Sequence, residues 1–372
     1  MEVNYGKSAP FTLGVEEELQ LVSVDSFDLT SRYAEVFGEA ARHDEQIKEE
    51  LLQSTVEVAT EPCRTVGEAV AEAEELRRRA REYADGHGVR ILSSGTHPFS
   101  RYEHQDVTEK PRYVELVDAL QWAIERQLIF GLHVHVGLES AEQAIQVANA
   151  LRTWLPELLA LSANSPFWHG RDSGLSSTRS KVFDAMPRSG LPPQFDSFAE
   201  FAQLVDRGVA TGSFADYTFI WWDLRPHPRL GTIEVRICDG QTRLENVAVL
   251  VALVQSLVAT LAERFEREGT LPCEPITLIA ENKWRAVRYG LDAELVDLAR
   301  DEQRTARDAL RALADLAAPA AARLGCADEL ALLDTVLARG DGASEQRAAA
   351  EAAGGNLLAV AKWLCEHTAK EL

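Results

Sequence analysis

Only five cysteines occur in the 372 residues (Cys63, Cys238, Cys273, Cys326 and Cys365), and no two form a C-x-x-C pair. An odd, scattered set argues against a disulfide framework or a thiolate zinc site and favours a reducing, cytoplasmic compartment. Basic residues are outnumbered, 38 Lys and Arg against 59 Asp and Glu, for a formal charge of -21. Such a field repels nucleic acid and anionic membranes, so neither is an expected partner. A local group of arginines or a bound cation can still admit an anionic substrate. The first residues, MEVNYGKSAP, contain no apolar h-region, and no signal peptide is expected. The longest apolar run, from Val247, is broken by Gln255, Ser256 and Thr260 and predicts a buried helix rather than a membrane span. The G-x-x-x-x-G-K-[ST] phosphate loop, the G-x-G-x-x-G dinucleotide fingerprint, the G-x-S-x-G elbow and H-E-x-x-H are all missing. P-loop enzymes, Rossmann dehydrogenases, α/β-hydrolases and zincins are therefore disfavoured.

Hydrophobic residues make up 46% of the chain and charged residues 26%, the composition of a globular protein with a substantial core. The length suits one large domain or two ordinary ones. Apolar residues at Val66, Ala69, Val70, Ala73, Leu76, Ala80 and Tyr83 predict a helix over 66–84, ended by Gly86 and Gly88, with a short strand from Val89. The spacing also predicts helices over 113–130 and from Ala141 to the neighbourhood of Pro156. Residues 162–180 are rich in Ser, Asn, Gly and Asp without a period and read as a long loop, a common place for function. A second turn-rich break starts at Arg188. From about Leu291 the chain reads as helices, interrupted from Ala338 and packed on the main body, so that 1–372 form a single unit with 291–372 as its helical C-terminal part. No fixed-period repeat and no low-complexity tail are present.

The segment TLGVEEELQL, from Thr12, alternates as a strand does. Leu13, Val15, Leu19 and Leu21 share one face, interrupted by Glu17. Glu16 and Glu18 share the other, a pair of carboxylates suited to a divalent cation; a solvated strand face is the competing reading. Three more segments repeat the design. Val56 and Val58 back Glu57; Leu132, Val134, Val136 and Leu138 back His133 and His135; Ile233, Val235 and Ile237 back Glu234 and Arg236, with Thr232 and Cys238 on the same side as these two. Asp223 and Arg225 end a fifth run on a common face. Together they predict one sheet with helices behind it and a polar wall in front, lined by Glu16, Glu18, Glu57, His133, His135, Glu234 and Arg236, whose carboxylates suit Mg²⁺ or Mn²⁺ and whose arginine suits a carboxylate or phosphate. A hydrogen-bonded His133–His135 pair and an Arg236 that merely bridges Glu234 or Asp239 are the alternatives.

TLGVEEELQLV, LLQSTVEVAT, GLHVHVG, LSANSPFWHGRDSG, WWDLRPHPRLGTIEVRICD and ENKWRAVRYGLDA occur in this order. From about Thr12 to the C-terminal helices the chain closely resembles the glutamate–cysteine ligase type 2 family, also called carboxylate–amine ligases. The resemblance implies an α+β fold: a curved, mostly antiparallel sheet of the glutamine synthetase catalytic-domain type, helices on its outer face, and a helical C-terminal region. It implies ATP-dependent amide formation, in which a substrate carboxylate, usually the γ-carboxylate of glutamate, is phosphorylated and then attacked by a small amine such as cysteine. Glu16, Glu18, Glu57, His133 and Glu234 match the family's metal-binding positions, for Mg²⁺ or Mn²⁺, and are expected to converge on one cation site from the shared polar face of their four strands. Arg236 matches an arginine beside the transferred phosphoryl group. Arg179 is the corresponding clamp for a substrate carboxylate, and Arg225 assists with phosphate. Glu17, His135 and Cys238 receive no role. A homodimer is common among such enzymes. Two other readings stay open: a hydrolase using the same metals without ATP, and a non-catalytic ligand-binding relative.

Overall fold

The computed structural model describes residues 1–297 and 299–370. Its centre is a seven-stranded sheet: β1 (Leu13–Ser23), β2 (Ile47–Glu49), β3 (Thr55–Ala59), β4 (Val89–Leu92), β5 (Gly131–Gly137), β6 (Leu224–His227) and β7 (Thr232–Asp239). The order is β6-β7-β5-β1-β3-β2, every pairing antiparallel, with β4 pairing the last four residues of β1. The alternating apolar residues of β1, β3, β5 and β7 are buried on one side of this sheet. α1 (Val66–Asp85), α2 (Ala141–Leu151) and α4 (Leu244–Glu268) cover that side, α3 (Thr178–Phe183) lies at the polar side, where its Arg179 and Phe183 face the cavity described below, and α5 (Ala306–Leu324) packs on α4.

The helix predicted over 66–84 is α1, started by Thr65, whose hydroxyl accepts the Glu68 N–H at 3.1 Å. The apolar run from Val247 lies in α4, long and apolar enough to span a membrane but buried inside the fold over 89% of its most apolar window. Leu310 and Leu313 of α5, with Leu333 and Val336 beyond it, share one core with Val247–Leu261 of α4, which places the C-terminal helices on the main body.

Four expectations need correction. Helix over 113–130 stops at Leu120, because Gln121 turns into the left-handed region (φ 47°); after a short turn Leu128 and Phe130 enter a different core as extended chain. Pro156 does not end a helix but sits in the first turn of one, Leu155–Ser162, where its missing N–H has no helical partner to lose. The loop over 162–180 contains the start of α3, capped by Ser177. The region after Leu291 opens with a β-hairpin, Glu294–Asp297 against Glu302–Thr305, before its helices begin.

The residue that spoils the apolar face of β1, Glu17, is explained by packing. Arg77 of α1 is fully buried; its Nε donates to Glu17 Oε2 at 2.9 Å, and its terminal nitrogens donate to the Glu17 carboxylate and to the carbonyls of Gln241 and Thr242. Removing one partner strands the other. Glu17→Ala is expected to cost about 3–5 kcal/mol of folding stability by leaving a buried guanidinium unpaired. A urea melt reads this; a loss under 1 kcal/mol would show that the pair is dispensable.

Candidate active site

The polar side of the sheet forms the floor of a cavity of about 520 Å³. Its lining includes Glu16, Glu18, Glu57, His133, Glu234, Arg179, Arg225 and Arg236, so every site residue expected from the sequence reaches one space. The register explains why. Glu16 of β1 lies opposite His133 of β5, Glu18 opposite Glu57 of β3, and Glu234 of β7 opposite His135 on one side and Arg225 on the other. Side chains on one face of directly paired positions are forced together.

Within this floor Glu16, His133 and Glu234 form the tightest group: one ligand atom from each lies within 4.8 Å of the others. His133 Nδ1 is 3.3 Å from Glu16, and its Nε2 is buried with no hydrogen-bond partner among the described residues. His135 stands between the two carboxylates, 3.6 Å from Glu16 and 3.7 Å from Glu234, with Thr232 Oγ1 at 3.0 Å on its other nitrogen. Glu234 is clasped by Arg225, at 2.7 Å, and by Arg236. Burial opposes its ionisation, but Arg225 and Arg236, followed by the two histidines, hold its carboxyl well below the usual carboxylate range. Burial likewise opposes ionisation of Glu16, and His135 and His133 outweigh it. Burial and the Arg236 charge push His133 down, toward the neutral imidazole that can donate a lone pair to a cation.

Glu18 and Glu57 form a second group beside the first, joined by Glu50. Glu18 accepts the backbone N–H of Gly131, and Glu57 takes Lys48 Nζ at 3.3 Å. Burial, with Glu16 and Glu50 close by, pushes Glu57 well above the ordinary carboxylate value; burial and Glu18 push Glu50 up to about 7. Carboxylates crowded this way repel one another until a cation separates them. Oxygen ligands with one imidazole, an orphaned buried ring nitrogen and crowded acids fit a divalent cation of the Mg²⁺ or Mn²⁺ kind.

The β5–β7 pairing is irregular. Val235 pairs with Val134 but Cys238 with Leu132, so β7 carries an extra residue between them. The bulge reverses the expected alternation. Cys238 turns into the apolar core beside Ile237 instead of joining the Glu234–Arg236 face, and burial pushes its thiol up to about 12. Arg179 Nη1 donates to Ile237 O at 3.3 Å and its Nη2 to Arg236 O at 3.2 Å. Gly131 permits this approach: a Cβ there would sit 2.4 Å from Arg179 Nη2.

Several lining residues escaped the sequence reading: Lys48, Glu50, Tyr113, His227 and Arg229, with Lys110 and Arg112 at the start of the helix Pro111–Leu120. The signal for His227 was present, since it continues the Asp223–Arg225 alternation. Glu50 had none, because β2 is three residues long and Glu50 follows it. In all, the cavity counts five glutamates and seven Lys or Arg side chains. The protein's acidic field is thus reversed where an anion would bind.

Residues 12–363 match the model of glutamate–cysteine ligase family 2. A protein of Rubrobacter xylanophilus provisionally named glutamate–cysteine ligase 2-3 is 44% identical over 371 residues, covering 99% of this chain and all of that protein. A protein of Frankia alni, provisionally named glutamate–cysteine ligase 2-1, is 41% identical over 98% of this chain and 97% of its own length. Among solved structures, glutamate–cysteine ligase of Francisella tularensis in complex with AMP superimposes with a TM-score of 0.71 at 15% identity, over 97% of this chain and 90% of that one. A bifunctional glutathione synthetase of Pasteurella multocida gives 0.70 at 14% identity, over 97% of this chain and 53% of that one. At those identities the likeness is one of fold.

Proposed function

The chain belongs to glutamate–cysteine ligase family 2 and is an ATP-dependent ligase, and from that premise we propose that it joins the γ-carboxyl of glutamate to a small amine such as cysteine. The observation that carries the proposal is the juxtaposition of the Glu16–His133–Glu234 group with Arg225 and Arg236 on one cavity floor. In the reaction the γ-phosphorus of ATP leaves ADP and bonds to an oxygen of the acid. The amine nitrogen then attacks the acyl carbon, loses a proton, and expels that oxygen with the phosphate.

Glu16, His133 and Glu234 would hold one Mg²⁺ or Mn²⁺, and Glu18, Glu50 and Glu57 offer oxygen ligands to another. A divalent cation supplies charge neutralisation for the triphosphate and polarises its phosphoryl oxygens. Arg236 stabilises the charge that builds on the transferring phosphoryl group, and Arg225 assists while keeping Glu234 in place. Arg179, deep in the same cavity, holds a substrate carboxylate. Residues 1–372 act as one catalytic unit, because the C-terminal helices share their core with α4.

The test is ADP release from purified protein supplied with Mg²⁺, ATP, glutamate and a panel of amines. Release should require acid, amine and cation together and stop in excess chelator. Amide cleavage without nucleotide would overturn the ligase and support a hydrolase; ligand binding without turnover on any acid and amine would support a non-catalytic protein.

A further inference from the structure

Asp239 closes β7 and is fully buried, and it is not among the residues that line the cavity. Its Oδ2 accepts the Asn164 N–H at 2.9 Å and the Ser165 hydroxyl at 2.6 Å, and its Oδ1 accepts the Ser177 hydroxyl at 2.8 Å. Both serines pass the constraint on. Ser165 Oγ accepts the Arg179 N–H at 3.1 Å, and Ser177 Oγ accepts the Ser180 N–H at 3.3 Å, capping α3. Each hydroxyl therefore donates to Asp239 and accepts from the backbone around Arg179. The far end of Arg179 is fixed by the carbonyls of Arg236 and Ile237 in the bulge. One short stretch of β7, residues 236–239, thus grips Arg179 at its backbone and at its guanidinium. The cradle leaves little slack: a Cβ on Gly95 would fall 2.6 Å from Asp239 Cγ.

We propose that Asp239 is a positioning residue, which through Ser165 and Ser177 sets where the Arg179 guanidinium stands in the cavity. The inference rests on the reading of Arg179 as the clamp for a substrate carboxylate. An acidic side chain suits the role because it accepts three donors and offers none. An amide in its place turns an N–H₂ toward one of these hydroxyls, which can take it on its second lone pair but then has no acceptor there for its own proton, so that link must reorient. The bulge adds a consequence. Arg236 projects toward Glu234 while its carbonyl holds Arg179, so the carboxylate clamp and the phosphoryl-facing arginine share a rigid strand.

The experiment compares Arg179→Met, Asp239→Asn and the double variant, with Ser177→Ala as a milder break should Asp239→Asn not fold. Crystal structures and steady-state kinetics with ATP, glutamate and cysteine are the readouts. In Asp239→Asn or Ser177→Ala crystals the Arg179 guanidinium should leave one or both bulge carbonyls. KM for one amino-acid substrate should rise about 10-fold or more, the scale of a lost charge-assisted contact, while KM for ATP stays within about twofold. In the Arg179→Met background the Asp239 change should add almost nothing, the mark of two residues acting as a unit. An unmoved guanidinium, or equal effects in both backgrounds, would overturn the positioning role while leaving the clamp standing. If Arg179→Met itself leaves every KM unchanged, the clamp reading falls, and the inference with it.

Discussion

Glu16→Gln is expected to lower turnover by about 10³-fold with little change in melting temperature. Glutamine keeps the shape of the side chain and removes its charge. Glu16 lies partly open to the cavity, opposite His133 and within 3.6 Å of His135, so its loss leaves no deeply buried cation without a partner. What disappears is one anionic oxygen from the group that includes His133 and Glu234. A catalytic cation contributes several kcal/mol of transition-state stabilisation, and about 4 kcal/mol corresponds to about 10³ in rate. The concentration of Mg²⁺ needed for half-maximal activity should rise as well. Unchanged turnover at unchanged Mg²⁺ dependence would remove Glu16 from the metal site. A fall in melting temperature matching the lost activity would make it a structural residue.

Arg236→Lys is expected to lower kcat by about 10²-fold or more, the scale of other removed transition-state donors. Most of the ATP affinity should remain, because lysine keeps the positive charge and loses only the planar fork. The structure sharpens the contrast with a bracing role. Arg236 does pair with Glu234, but Arg225 holds the same carboxylate at 2.7 Å, so Glu234 stays clasped without Arg236. Arg236 Nε is buried with no hydrogen-bond partner among the described residues, a donor in excess of what bracing needs. A brace predicts a lower melting temperature and normal single-turnover rate per folded molecule. Both measured on one preparation separate the two, and a destabilised but fully active protein would contradict the catalytic role.

Much of this site is legible because a strand displays it. Alternation in β1, β3, β5 and β7 sorts the valines and leucines from Glu16, Glu57, His133 and Glu234, and antiparallel pairing turns that sorting into a shared floor. The same rule fails at Cys238, where one inserted residue reverses the faces and no local residue type announces it. The anchoring of Arg179 depends on that bulge and is equally hidden. Glu17 looks like an interruption until its partner, sixty residues away on α1, is known. Helical periodicity in 113–130 is real up to Leu120; beyond it, apolar residues serve the cavity lining and a separate core rather than one helix face. Which acid and amine enter the cavity is written in side-chain positions that no spacing rule reaches.

If this cavity transfers the γ-phosphoryl group of ATP to a carboxylate so that an amine can take its place, an oxygen of the acid must leave with the phosphate. Isotope transfer tests it most directly. Glutamate labelled with ¹⁸O in its γ-carboxyl is turned over with ATP, Mg²⁺ and the amine that supports ADP release, and the phosphate is analysed by mass spectrometry. One ¹⁸O atom should be carried from the acid into each phosphate released. Phosphate free of label, formed at the same rate as ADP, would mean that water and not the carboxylate receives the phosphoryl group, and would contradict it.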